Sequence, residues 1–151
     1  MTEHAKARSD RSAGLHPGGR LLSLTVGLGC VAVLLIATGL HPDGRGHGTH
    51  EQLGLGPCAW PLAFGKPCPT CGMTTSFSLA VRGRVVDAAR AQPFGVVLAY
   101  ATACLAWIGL HGAATGSAVW SLCAGVLRPG VMWVIGGVWL ISWVYKWLTW
   151  T

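Results

Sequence analysis

Charged side chains are scarce in this chain of 151 residues, of which Asp, Glu, Lys and Arg make up 11%. Soluble globular domains contain about 25% of these residues. Hydrophobic residues reach 52%, and only five residues are acidic. A chain with so few charges does not cover its apolar surface with polar groups. The composition therefore excludes an ordinary soluble domain and predicts the lipid bilayer as the chain's surroundings.

The positive charge is spread along the sequence rather than clustered, although the formal net charge is +6. A nucleic-acid-binding protein presents cations grouped on one face, whereas single cations beside apolar runs are typical of membrane spans. The cations here stand mostly beside such runs, at Lys6, Arg8, Arg11, Arg20, Arg45, Lys66, Arg82, Arg84, Arg90, Arg128 and Lys146. The sequence therefore predicts no nucleic-acid partner.

Three apolar runs without an acidic residue cover residues 21–40, 94–114 and 130–150. About 20 helical residues rise about 30 Å, which is the thickness of the hydrocarbon core. A cleaved signal peptide is the alternative for the first run, but its apolar core is usually about 7–15 residues long. We therefore predict an all-α integral membrane protein, with a disordered tail over residues 1–20 and a three-span membrane domain over residues 21–151.

The distribution of cations bears on how these spans are oriented. Four cations lie in the tail over residues 1–20, and positive residues favour the cytoplasmic side. Three further cations, Arg82, Arg84 and Arg90, precede the second span and favour the opposite orientation. We expect a multi-pass protein of the cell membrane with a cytoplasmic N-terminus, which would place the loop after the first span outside.

That loop, residues 41–93, contains two short apolar segments. Residues 74–81 are too few to cross a bilayer, and we predict a short half-helix for them. Residues 85–91 have their apolar side chains on one side, which predicts an amphipathic segment in the membrane interface. The loop therefore adds a half-helix and an interfacial segment between the first and second spans.

The sequence Cys-Pro-Thr-Cys occupies residues 68–71, directly before the predicted half-helix. Pro69 stiffens the turn, because proline restricts the backbone. Gly72 permits the turn, because glycine tolerates positive φ. Thr74 or Thr75 could cap the first N–H groups of the half-helix. We therefore expect the two thiols to be held at the start of a helix.

A metal site is one hypothesis for these cysteines. Cys68 and Cys71 have the usual spacing of two thiolate ligands on one zinc ion, and Cys58 could supply a third. His47 or His50 could supply the fourth ligand. A second Cys-x-x-Cys motif, which many zinc sites contain, is missing from the sequence.

Dithiol redox chemistry is a second hypothesis, with Cys68 and Cys71 as the exchanging catalytic pair. The dipole of the following helix would stabilise a thiolate and lower its pKa, most of all for Cys71. The βαβ pattern of a thioredoxin-like domain is absent. A third hypothesis is structural, in which a disulfide or tight turn pins the loop to the membrane surface.

The same residues resemble the domain-of-unknown-function 2752 family, small bacterial integral membrane proteins with a Cys-Pro-x-Cys-Gly-x-Thr-Arg signature. The resemblance covers about residues 58–110. It is carried by Cys58, the run Gly65-Lys66-Pro67-Cys68-Pro69-Thr70-Cys71-Gly72-Met73-Thr74, the pair Arg82-Gly83 and the run Gln92-Pro93-Phe94. Thr75 stands where the family has arginine, so any role of that arginine is not carried over. The resemblance implies fold, location and an important cysteine motif, but no reaction.

The sequence favours a non-enzymatic function. The leading hypothesis is a small membrane scaffold or partner subunit with a structural or zinc-binding cysteine cluster, working with another membrane protein or with itself. The alternative is a membrane dithiol oxidoreductase that uses Cys68 and Cys71. A third hypothesis is a transport role, in which the N–H groups of the half-helix face an anion.

Overall fold

The computed structural model describes residues 15–117 and 128–150. Within these residues the secondary structure is helical, with six α-helices and one 3-10 helix. In chain order they are α1 (Pro17–Gly39), the 3-10 helix (Thr49–Leu53), α2 (Ala59–Phe64), α3 (Met73–Ala80), α4 (Val85–Ala91), α5 (Pro93–Thr115) and α6 (Pro129–Leu148). The predicted all-α class is confirmed.

Helices α1, α5 and α6 are long and apolar enough to span a membrane, with mean hydropathies of 2.4, 1.8 and 1.4 in their most apolar windows. The three predicted spans are therefore confirmed. Each helix has a proline at its start, where the missing N–H costs nothing and the fixed φ suits the first turn. α1 begins four residues before the predicted span and so includes the end of the predicted tail. Residues 1–14 of that tail lie outside the described residues.

α1 and α5 pack against each other in antiparallel fashion, and glycines allow their backbones to approach closely. A Cβ atom added to Gly27 would lie 2.9 Å from the backbone nitrogen of Leu110. One added to Gly109 would lie 2.7 Å from the carbonyl oxygen of Ser23. Small residues are the usual means of close helix packing in membranes, and these two glycines set the crossing point.

The ends of this helix pair are held by arginine side chains. At one end, Arg20 donates from Nε and Nη2 to the carbonyl oxygen of Ala113, at 3.0 and 2.9 Å. At the other end, Arg82 donates from Nη2 to the carbonyl oxygens of Thr38 and Leu40, at 2.7 and 2.6 Å. The last carbonyl groups of a helix have no partner within the helix, so the arginines supply donors there; the Leu40 carbonyl also accepts from Ser78 Oγ at 2.6 Å.

The predicted half-helix and interfacial segment are present as α3 and α4, between α1 and α5. α3 begins and ends one residue earlier than predicted, and α4 has the predicted bounds. The two helices meet through Leu79 of α3 and through Ala88 and Ala91 of α4, which form a small buried apolar cluster. The connection therefore folds back onto the spans as a helical layer.

α6 contacts the other helices and the loop through its C-terminal half. The backbone N–H of Phe94 donates to Ser142 Oγ at 2.9 Å, and Trp143 Nε1 donates to the carbonyl oxygen of Pro67 at 3.2 Å. The N-terminal half is exposed, with Trp133 82% accessible. The C-terminal half of α6 is thus attached to Pro67, next to the cysteine motif, whereas its N-terminal half is exposed.

Candidate cysteine site

Gly72 places the cysteine motif against the rest of the protein. Its φ of +86° lies in the left-handed region, and it is the residue preceding α3. A Cβ atom here would lie 2.7 Å from the carbonyl oxygen of Gly46 and 2.8 Å from that of Ala91. The turn predicted at Gly72 is confirmed, and the close approach of two other chain segments adds a second reason for glycine.

Thr75 connects α3 to the loop after the first span. It is fully buried, and its hydroxyl lies 2.8 Å from the hydroxyl of Thr49. The backbone N–H of Asp43 donates to the same Thr49 oxygen at 3.0 Å. No side chain caps α3, so the capping role expected for Thr74 or Thr75 is wrong. The Thr75 hydroxyl binds across the fold because that satisfies two buried polar groups at once.

Gln92 connects the motif to the start of α5, and it is fully buried. Its backbone carbonyl accepts a hydrogen bond of 3.0 Å from Ser76 Oγ, and its Nε2 donates to the carbonyl oxygen of Pro69 at 3.4 Å. Neither contact was predicted, since Gln92 was named only within the run that carries the family resemblance and Ser76 was not named at all. The concentration of hydroxyl residues in α3, in an otherwise apolar region, was the signal that could have identified one of them.

Cys58, Cys68 and Cys71 are the three cysteines whose spacing predicted a cluster. Cys71 is 7% exposed, and Cys58 and Cys68 are half-buried. The Cys68 thiol is near enough to contribute to raised pKa values of both other thiols, and it lies 3.5 Å from the hydroxyl of Thr70. All three are free thiols. The Cys68 thiol is therefore near both other thiols, but a cluster of all three arranged around one ligand stays a prediction.

Burial raises the pKa of the Cys71 thiol to about 11, and the neighbouring Cys68 thiol adds to the rise. Lys146 acts in the opposite direction, but its effect is smaller. The redox hypothesis expected the helix dipole to make Cys71 the thiol with the lower pKa. In the structure the pKa of Cys71 is raised instead of lowered. The loop and α6 shield the Cys71 thiol from water, and desolvation disfavours the thiolate.

The raised pKa of Cys71 predicts a loss of stability in alkali. The folded state favours the protonated thiol, so this stabilisation is complete below pH 9, near the pKa of an ordinary thiol, and is lost as the pH rises to about 11. The midpoint of thermal unfolding in detergent should therefore fall more steeply over this range for the wild type than for Cys71→Ala. Cys104→Ala, which removes an exposed thiol of α5, should behave as the wild type. Parallel curves for all three proteins would contradict the prediction.

His47 and His50 share a cavity of about 190 Å³ with Cys58, Cys71 and Glu51. The Nδ1 atom of His47 is buried and has no hydrogen-bond partner among the described residues. Its ring packs edge-on against Trp150 at 4.5 Å. Burial lowers the pKa of His47, and the nearby cations Lys146 and Arg45 lower it further. The lowered pKa of His47 favours the neutral imidazole, which is the form that binds metals.

The zinc hypothesis stays a prediction. In residues 15–117 and 128–150, no group of three or more His, Cys, Asp or Glu side chains is arranged to hold a metal ion. Of the five suggested ligands, Cys58, Cys71, His47 and His50 line one cavity, and Cys68 lies beside it. A metal would require these side chains to move closer together.

The surroundings of the α3 N-terminus bear on the transport hypothesis. An anion there would need open space in front of the first N–H groups. Gly72 is buried, and the carbonyl oxygens of Gly46 and Ala91 face it. Because carbonyl oxygens carry partial negative charge, this packing disfavours an anion at the start of α3.

Comparison with known proteins identifies a family to which part of the chain is similar, but it identifies no reaction. No curated protein and no solved structure matches the chain. Residues 58–107 match the family model described as a protein of unknown function (DUF2752). The match covers about a third of the chain and includes all three clustered cysteines, α3, α4 and the first part of α5. The predicted resemblance is thus confirmed: over residues 58–107, the chain is similar to the DUF2752 family, whose function is unknown.

Proposed function

We propose that this chain is a non-enzymatic membrane scaffold or partner subunit, in which the cysteine motif fastens the loop and α3 to the spans. One observation carries the proposal: the residues that flank the cysteine motif on both sides are used in the protein's own packing. Gly72 fits between two backbone carbonyls, Thr75 binds Thr49, and the carbonyl of Pro67 binds Trp143. An active site would instead leave such groups open toward a substrate.

The state of the thiols supports a structural role over dithiol exchange. An attacking cysteine must be a thiolate and must be accessible. Cys71 is buried, and its pKa is raised to about 11. Cys68 is half-buried, and it remains the better candidate for exchange if the alternative oxidoreductase function holds.

The exposed half of α6 supports a role beside a partner. Only 11% of its most apolar window is buried, against 28% for α5. Gly136 and Gly137 lie in this half, and neither would meet another described residue within 4 Å if a Cβ were added. Small residues on a free helix face allow another helix to approach closely, so a second copy of this chain or another membrane protein could pack here.

We place the protein in the cell membrane with its N-terminus in the cytoplasm. The four cations of residues 1–20 support this orientation. The cations that oppose it are largely neutralised or used locally. Arg84 and Arg90 both pair with Asp87, and Arg82 binds the end of α1. With the N-terminus in the cytoplasm, the cysteine cluster would lie outside.

A second candidate role is zinc binding by the cluster. The cavity of about 190 Å³ and the unpartnered Nδ1 of His47 favour it, because a buried polar atom without a partner is costly. In this case Cys58, Cys68 and Cys71 would hold the ion with His47 or His50.

One set of measurements on detergent-purified protein tests these roles. We expect an assembly larger than one chain by native mass spectrometry, and a lower unfolding midpoint but an unchanged assembly for Cys68→Ser/Cys71→Ser. Near one zinc per chain, lost in the double variant and in His47→Ala, would establish the metal role. A monomer whose Cys68 and Cys71 exchange disulfides with a small dithiol would contradict the scaffold proposal and favour the oxidoreductase.

A further inference from the structure

A cleft of about 370 Å³ lies on the same side of the protein as the cysteine motif, between the loop after α1, α4 and the end of α6. Four of its lining residues are cations and two are carboxylates, Asp43 and Asp87. We call this space the basic cleft. Its lining includes Arg45, Arg84, Arg90, Tyr145 and Lys146. Gly46 and Ala91, which pack against Gly72, also line this cleft, but none of the three thiols Cys58, Cys68 and Cys71 does.

Lys146 is the unusual member of the basic cleft, because it is a cation that is only 7% exposed. Its ammonium donates to the carbonyl oxygen of Gly46 at 3.3 Å and lies 5.8 Å from the ring centre of Trp150. Among the described residues it forms no ion pair. An ammonium has three donors, and burying it without an anion is costly. The position of Lys146 therefore points to an anionic ligand.

The carboxylates near the cleft are already occupied by arginines. Asp43 pairs with Arg45 at 2.7 Å, and Arg45 also lies 3.6 Å from Glu51 outside the cleft. Asp87 is shared by Arg84 at 2.9 Å and Arg90 at 3.5 Å. Even with Glu51 included, four cations face three carboxylates. Each guanidinium has five N–H donors, so donors remain for a ligand.

We propose that the basic cleft binds a phosphate group, carried either by a lipid headgroup or by a soluble compound. A phosphate offers several acceptor oxygens and matches the donors of arginine and lysine. The cleft lies at the end of a candidate membrane-spanning helix, where the Trp150 ring is 5.8 Å from the Lys146 ammonium, and tryptophans at helix ends mark the level of the headgroups. Basic pockets at this level are suited to anionic lipid headgroups. The volume is in the range of small-ligand sites.

Native mass spectrometry of the full chain in mild detergent, titrated with phosphatidic acid or phosphatidylcholine, tests the proposal. We expect the wild type to retain phosphatidic acid in preference to phosphatidylcholine. Retention should weaken at least about tenfold for Lys146→Met, which removes a buried charge-assisted donor, and about fivefold for Arg90→Gln. Lys66→Gln should have no effect, since Lys66 lies over the ring of Trp147 and outside the cleft.

A second arm distinguishes the source of the phosphate. In phosphatidylcholine nanodiscs, inorganic phosphate should raise the unfolding midpoint of the wild type but not of Lys146→Met if the natural ligand is soluble. Preferential retention of phosphatidic acid without this shift identifies a lipid headgroup.

The proposal is overturned if neither probe binds, or if Lys66→Gln weakens binding as much as Arg90→Gln. If Lys146→Met does not fold, the Arg90→Gln variant alone tests the proposal. The Arg90 side chain is 74% exposed, so its loss does not disturb the packing. Unchanged binding in Arg90→Gln would then overturn the proposal.

Discussion

Replacing Gly72 with alanine is expected to destabilise the protein by about 2–5 kcal/mol. The left-handed backbone at this residue, with φ of +86°, costs an alanine about 1–2 kcal/mol. The new Cβ would also lie 2.7 and 2.8 Å from the carbonyl oxygens of Gly46 and Ala91, and overpacking of this kind typically adds about 1–3 kcal/mol. Backbone atoms cannot rotate away as a flexible side chain can, so the loop after α1 or the start of α5 must shift.

Gly54→Ala is the matched control, because Gly54 has φ of +78° and nothing within 4 Å of its Cβ position. We expect this variant to lose about 1–2 kcal/mol from the backbone conformation alone. Thermal unfolding in detergent, followed by tryptophan fluorescence, compares the two directly. Equal midpoints for Gly72→Ala and Gly54→Ala would mean that the carbonyls of Gly46 and Ala91 do not approach Gly72 in the native protein.

Arg82→Ala is expected to destabilise the protein by about 2–4 kcal/mol. The side chain donates to the carbonyl oxygens of Ala37, Thr38 and Leu40 at the end of α1. It also donates to the carbonyl and hydroxyl of Ser78 at 2.6 Å. Removing the guanidinium leaves several acceptors in a partly buried place without donors, and hydrogen bonds from a charged group are worth about 1.5–3 kcal/mol each.

The nearby Arg84 provides the control for this variant. It is exposed and pairs with Asp87 at 2.9 Å, and such surface pairs contribute at most about 1 kcal/mol. The unfolding midpoint should therefore fall much further for Arg82→Ala than for Arg84→Ala. Arg82→Lys should fall between them, since one ammonium does not replace two nitrogens that reach different carbonyls. The same small effect in all three variants would remove Arg82 as the link between α1 and α3.

The small-residue pattern of α5 shows what periodicity can and cannot predict. Small residues recur every four positions at Gly95, Ala99 and Ala103, a spacing that predicts one face for close contact with a neighbouring helix. Gly95 and Ala99 are buried, but Ala103 is exposed. The buried face continues instead through Ala106 and Gly109. A repeat of four residues drifts around a helix that has 3.6 residues per turn, so the series leaves the contact face after two turns.

The cysteine cluster shows a similar division. The spacing of Cys58, Cys68 and Cys71 predicted a cluster, and it indicated nothing about the burial of each thiol. The direction of the Cys71 pKa was predicted wrongly, because the helix dipole is a local effect whereas desolvation comes from distant parts of the chain. The contact of Lys146 with Gly46, which are 100 positions apart, had no signal in the sequence.

The sequence by itself determined that this is a three-span helical membrane protein with a half-helix, because hydropathy, proline position and helix length act over a few turns. It also determined the left-handed turn at Gly72, which depends on the backbone of one residue. Only the tertiary structure decided that Thr75 binds Thr49, that Pro67 binds Trp143, and that a buried lysine faces a cleft with three arginines. These pairings depend on how helices pack in three dimensions, and the hydrogen bonds that buried polar groups require are chosen from whatever that packing brings near.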